Sequence, residues 1–193
     1  MPLQKRRIIV GISGATGTIY GIRLLELLRQ LEVESHLVVS SAGDLTRAYE
    51  TELSASELKA RADVVYQPKD VGSAIASGSF RTLGMIVAPC SIRTLSEIAT
   101  GVTSSLLSRA ADVCLKERRR LVLMVRETPL HAGHLKSMLA VTEAGGIIAP
   151  PVPAFYTKPK SLEEMVDQTL ARMLDLFDLE VPSAARWGET IGL

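Results

Sequence analysis

Gly-rich sequence directly after a β-branched run, at Arg7-Ile8-Ile9-Val10-Gly11-Ile12-Ser13-Gly14-Ala15-Thr16-Gly17, is the first place where residue types and spacing suggest chemistry. An apolar-periodic segment follows at once through Ile19, Ile22, Leu24, Leu25, Leu27, Leu28 and Leu31. The stretch reads as strand, tight loop and helix. In that arrangement backbone N–H groups at a helix N-terminus can hold a phosphate, and the Thr16 hydroxyl adds a donor. Neither GxxxxGK[ST] nor a clean GxGxxG is present, since Ser13 stands where the second pattern needs glycine. Such a turn also serves merely to join a strand to a helix, so the rest of the chain must decide.

Further polar groups fall just past other strand-like runs: Ser40-Ser41, Cys90-Ser91-Ile92-Arg93-Thr94, Arg126-Glu127 and the loop reaching Tyr156. The runs themselves are Ile8–Ile12, Ser35–Val39, Val64–Tyr66, Gly84–Ala88, Leu121–Arg126 and Gly146–Ala149. Helical patterns lie between most of them: Thr18–Leu31, one after Ser40, and a short one at Ser54 with Glu57 completing a capping box. Others cover Leu95–Ala99, Ser104–Arg119, His131–Ala144 and Ser161–Phe177. This alternation predicts an α/β fold: a doubly wound (Rossmann or flavodoxin-like) parallel sheet with helices on both faces. One domain over residues 1–180 and a C-terminal tail at 181–193 are expected. In such sheets ligands bind beyond the carboxyl ends of the strands. Five chain-distant segments therefore deliver hydroxyls, an Arg, a Glu and a Tyr to one rim.

Composition narrows the classes. Hydrophobic residues make up 47% and charged residues 22%, with mean hydropathy +0.21, so apolar surface is expected to be buried between subunits. A net charge of +1 gives no electrostatic footprint for nucleic acid. The basic run Lys116-Glu117-Arg118-Arg119-Arg120 reads as cations at a helix C-terminus. Cys90 and Cys114 lack CxxC spacing, and His36, His131 and His134 form no metal box, so no metal site is expected. No apolar run approaches the roughly 20 residues of a membrane span, and no signal segment is apparent, which predicts a cytoplasmic protein.

Taken in order, GISGATG at 11–17, SGSFRTLGMIVAPCS at 77–91, SRAADVCLKERR at 108–119, VRETPL at 125–130 and PPVPAFYTKP at 150–159 resemble the UbiX-type flavin prenyltransferases. The resemblance runs from about Ile8 to Trp187. It implies binding of FMN and transfer of a dimethylallyl group from dimethylallyl phosphate to N5 of the reduced flavin, with a fourth ring then closed through C6. The product is the cofactor of UbiD-type decarboxylases, and the family commonly assembles as dodecamers. By this resemblance Gly14, Ala15, Thr16, Ser40, Ser91, Ile92, Arg93, Thr94 and Arg126 contact FMN. Arg109, Lys116, Tyr156 and Arg172 match the prenyl-phosphate site, and Trp187 is placed over a ligand pocket.

Residue chemistry accords with those roles. Backbone donors, hydroxyls and Arg126 suit a phosphate monoester. A bland pairing of Arg126 with Glu127 is disfavoured because neighbours on a strand point to opposite faces. Arg109 and Lys116, seven apart, share a helix face with Asp112 between them, and would otherwise read as a solvated stripe with an Asp112–Lys116 pair. Tyr156 could equally be a core aromatic. The chain has no DDxxD, and a monophosphate can be held without metal by Arg, Lys and Tyr. Glu127 is the candidate for proton handling at N5 or C6, and Trp187 for facing the carbocation-like centre. Lys116 and Thr16 complete the catalytic set. The chain departs from the family at Thr16, where Ser is usual, and at His134-Leu135-Lys136-Ser137-Met138, which replaces His-Leu-Glu-Asn-Met.

Two other readings compete. One is a flavin-dependent decarboxylase on the same fold, whose Pro-x-Met-Asn-x-x-Met-Trp motif is absent here, with Pro89-Cys90-Ser91 in its place. The other is a non-catalytic flavin carrier, which would not need Glu127, Lys116 and Arg172.

Overall fold

The computed structural model describes residues 5–192. Six strands form one parallel sheet: β1 (Arg7–Ile12), β2 (Glu34–Val39), β3 (Val64–Tyr66), β4 (Gly84–Cys90), β5 (Arg120–Val125) and β6 (Ile147–Ile148). Their order is β3-β2-β1-β4-β5-β6. The helices are α1 (Thr18–Gln30), α2 (Ser41–Glu50), α3 (Ala55–Lys59), α4 (Ile92–Thr100), α5 (Leu106–Lys116), α6 (Ala132–Glu143) and α7 (Leu162–Asp175). The expected α/β, doubly wound architecture is thus found. Ends move where a cap decides them. Helix α4 starts three residues earlier than its apolar pattern, because the Ser91 hydroxyl accepts from the Thr94 amide at 3.3 Å and opens the helix there.

Strand alternation builds two cores. Ile8, Val10 and Ile12 of β1 face α1, α3 and α7, joined by Ile86, Val122 and Met124. Ile9 turns the other way with Met85, Val87, Leu121 and Leu123, under α4, α5 and α6. All seven residues of β4 are buried, as a strand covered on both faces requires. Helix α1 lies so close to the sheet that a Cβ on Gly21 would sit 2.5 Å from the Ala88 carbonyl oxygen.

The order reverses between β1 and β4, which leads outward to β2 and β3 on one side and to β5 and β6 on the other. A crevice opens at that switch point beyond the carboxyl ends. Packing against α7 continues through Leu179, Val181 and Ala184.

Candidate active site

Backbone bonds lace the carboxyl ends of four strands into a continuous rim. The Ser40 amide donates to Ile12 O at 2.9 Å, the Ser13 amide to Pro89 O at 3.2 Å, and the Arg126 amide to Cys90 O at 3.0 Å. Ser13, fully buried, ties the crevice shut at its base: its hydroxyl donates to Pro89 O at 3.0 Å and accepts from the Ser91 amide at 2.8 Å. A glycine could not make that bond, which accounts for the Ser in the loop. Gly14 is required for a different reason, since a Cβ there would stand 2.4 Å from the Ala42 methyl. The rim brings together Gly14, Ala15, Thr16, Ser40, Ser91, Ile92, Thr94, Arg126 and Glu127.

Donors for an anion come from two helix starts. Ser40 caps α2 by accepting from the Gly43 amide at 3.0 Å, and Ser91 caps α4. The amides of Ser41, Ala42, Ile92 and Arg93 take no partner among the described residues. The Arg93 side chain is 83% exposed and pairs with Glu97, so what Arg93 brings to the rim is its amide. The N-terminus of α1, expected to serve the phosphate, is filled: the Glu50 carboxylate accepts from the Gly17 and Thr18 amides, both at 2.9 Å. The first-turn amides left open are those of α2 and α4. Arg126 forms no ion pair among the described residues. Strand β5 ends at Val125, so Arg126 and Glu127 lie on an exposed loop, and the opposite-face argument from strand geometry does not apply to them.

Glu50 escaped the sequence reading. Burial works to raise its carboxyl, but the Thr16 hydroxyl and the Thr18 and Gly17 amides outweigh that and hold it below the usual carboxylate range. The one local hint is that an acid closes α2, the wrong end for the helix dipole. Replacing it with Ala should cost about 0.5–2 kcal/mol, the range for a lost N-cap, and nearer the low end because the side chain is exposed. Since the folded-state pKa is depressed, this stabilisation is full above the unfolded value of about 4.3 and fades as pH falls through the folded one. Melting of the parent and Glu50→Ala should therefore converge in acid, and a gap unchanged from pH 7 to pH 3 would contradict the assignment.

The remaining expected residues make their contacts with partners outside the rim. Arg109 and Lys116 do share α5, but Asp112 pairs with Arg109 at 2.6 Å, while Lys116 pairs with Glu117 and not with Asp112. Lys116 ends α5 beside Gly78, four residues before β5 begins, whereas Arg126 follows the end of that strand. A six-residue strand rising ~3.3 Å per residue separates the two by roughly 20 Å. Arg172, near the end of α7, is 60% exposed and pairs with Asp175 at 2.7 Å. Tyr156 and Trp187 meet edge to face with centroids 5.6 Å apart, and Trp187 is 67% exposed. The indole does not bury itself in its own domain. His131 and His134 cap α6, with the Gly133 amide donating to His131 Nδ1 at 3.0 Å.

Residues 1–179 match the Flavoprotein family. The chain is 56% identical over 181 residues to the flavin prenyltransferase UbiX of Thauera aromatica, covering 94% of this chain and 93% of that one. It is 54% identical over 185 residues to flavin prenyltransferase UbiX of Escherichia coli strain K12, covering 94% and 98%. Among solved structures, AnUbiX (PadA1), in complex with FMN and dimethylallyl pyrophosphate, superposes with TM-score 0.94 at 52% identity, covering 96% and 98%. A dodecameric FMN-dependent UbiX-like decarboxylase from Escherichia coli O157:H7 gives TM-score 0.91 at 48% identity, covering 94% and 98%. With identity above half along nearly the full length of its relatives, the chain belongs to the UbiX flavin prenyltransferases of the Flavoprotein family.

Proposed function

We propose that this protein joins dimethylallyl monophosphate to reduced FMN and so makes prenylated FMN for a UbiD-type decarboxylase. The observation that carries the reading is the rim: first-turn amides of α2 and α4 and an Arg126 side chain without partners among the described residues, with the Ser40 hydroxyl, beyond the strand ends around the switch point. Those donors fit a phosphate monoester with a planar ring laid across the crevice. Among the described residues no cluster of three or more His, Cys, Asp or Glu side chains could hold a metal ion.

Reduced FMN supplies a nucleophilic N5: the N5–carbon bond forms as the allylic carbon–oxygen bond breaks and phosphate leaves with the electron pair. The proton displaced from N5 goes to the phosphate or to Glu127. Closure at C6 adds one proton to the prenyl double bond and removes one from C6, so no electrons pass to an outside partner. Arg109, Lys116, Tyr156 and Arg172 hold the departing phosphate, and Trp187 offers its π face to the allylic cation. Glu50, which accepts from the Gly17 and Thr18 amides, places a second carboxylate beside the rim. Because Lys116 and the rim lie at opposite ends of the strands in one protomer, the complete site takes residues from neighbouring copies in a homo-oligomer, for which a dodecamer is the reading. Cys90 and Cys114 are both buried and unpaired, which suits the reducing cytoplasm. No helix among the described residues is long and apolar enough to cross a membrane.

A decarboxylase reading lacks support at the strand end that would carry it, where Pro89-Cys90-Ser91 serves the rim. Bound FMN should turn over with dimethylallyl phosphate only after reduction. Product formed from oxidised FMN under strict exclusion of reductant would contradict the mechanism.

A further inference from the structure

Residues 185–192, beyond α7, form a compact loop tied to that helix by polar side chains at two residues. Within the loop, the Ile191 amide donates to Arg186 O at 3.1 Å, the Gly188 amide to Ile191 O at 2.8 Å, and the Arg186 amide to Thr190 Oγ1 at 2.7 Å. The Trp187 and Ile191 backbones bridge across it, which fixes within the loop the backbone that carries the indole. One anchor is Gln168, whose side-chain amide donates to Ala185 O at 2.8 Å and accepts from the Ala185 amide at 3.0 Å. The other is Asp175. The Arg186 guanidinium donates to Oδ1 at 2.9 Å and to Oδ2 at 3.1 Å in a fork, and Arg172 donates to that same Oδ2 at 2.7 Å. A single carboxylate, 19% exposed, thus joins Arg172 to the loop that carries Trp187.

The two arginines differ in how firmly they are held. Arg186 is 23% exposed and doubly bonded, whereas Arg172 is 60% exposed with one bond on the shared oxygen. An exposed single pair exchanges readily, and a dianionic phosphate is the stronger acceptor for a guanidinium. When Arg172 leaves for a phosphate, Oδ2 is freed and the whole carboxylate turns to Arg186.

We propose that Asp175 is a positioning residue which couples phosphate binding at Arg172 to the seating of the Trp187 loop through Arg186. This rests on the reading of Arg172 as a phosphate ligand. Occupancy by the prenyl phosphate tightens the loop and presents the indole, and a loosened loop weakens phosphate holding in return, since coupling between sites is reciprocal.

Trp187 is the sole tryptophan of the chain, so its emission reports the loop alone. The test uses the oligomer loaded with oxidised FMN, in which no turnover occurs, titrated with dimethylallyl phosphate while Trp187 anisotropy is followed. In the parent, anisotropy rises with occupancy. In Asp175→Asn it starts lower and fails to rise, FMN affinity is unchanged, and the KM for dimethylallyl phosphate in turnover increases about tenfold, within the usual 5–150-fold span of coupled sites. Asp175→Glu restores part of both. Arg186→Gln, which leaves Arg172 and Asp175 paired, lowers the starting anisotropy and abolishes the rise, and it decides the question if Asp175→Asn fails to fold. Parental anisotropy and KM in Asp175→Asn and Arg186→Gln, or a parent whose anisotropy ignores the phosphate ester, would overturn the coupling. A parent that shows the rise yet makes no prenylated flavin once reduced would instead reject the catalytic reading and leave the coupling standing.

Discussion

Glu127→Gln should bind FMN as the parent does and form prenylated flavin about 10²–10⁴-fold more slowly, the usual loss for a positioned acid or base. Glu127 stands on the exposed loop just past β5, one residue after Arg126, whose amide is tied to β4. Its carboxylate accepts from the Thr128 amide at 3.0 Å and has no cationic partner among the described residues. The substitution keeps the shape and the acceptor oxygen for that bond while removing the group that can take up and release a proton. A loss of rate with flavin still bound isolates proton transfer from binding. If single-turnover rates stay parental, proton transfer belongs elsewhere, and the carboxylate of Glu50, bonded to the Gly17 and Thr18 amides, becomes the group to replace next.

Mixed oligomers should show an equally large effect in the other direction. Glu127→Gln and Lys116→Ala should each be nearly inactive alone and regain activity when their subunits exchange. The geometry requires it: Lys116 sits at the amino edge of the sheet beside Gly78, and Glu127 follows the carboxyl end of β5. One protomer cannot bring both to one substrate. If each site draws the two residues from different copies, random mixing of equal parts leaves about a quarter of sites with neither defect. Mixtures that stay inactive, although exchange is demonstrated and FMN is bound, would place both residues in service of one chain.

The parts legible in the sequence are those governed by short-range periodicity. Alternation along Ile8, Ile9, Val10 and Ile12 and the helical spacing from Ile22 to Leu28 give the strands and helices, and Ser54 with Glu57 forms the expected capping box. Residues just past strand ends do converge on a rim, because parallel strands in register end together. What escaped depends on long-range contact. Nothing local ties Glu50 to Gly17, 33 residues away, so the occupied start of α1 was not readable. Helical spacing put Arg109 and Lys116 on one face without saying which sheet edge Lys116 reaches. As the last residue of α5, Lys116 turns to the adjacent Glu117, which leaves Asp112 to Arg109. The Asp175 junction joins α7 to a loop with no periodic pattern at all.

The most direct test of the central claim is a mass spectrum of the flavin after the protein meets reduced FMN and dimethylallyl phosphate without added metal. The expected flavin is heavier by one dimethylallyl group in exchange for one proton, and inorganic phosphate is released in equal amount. Flavin recovered at unchanged mass, from protein shown to bind both FMN and the phosphate ester, would contradict prenyl transfer.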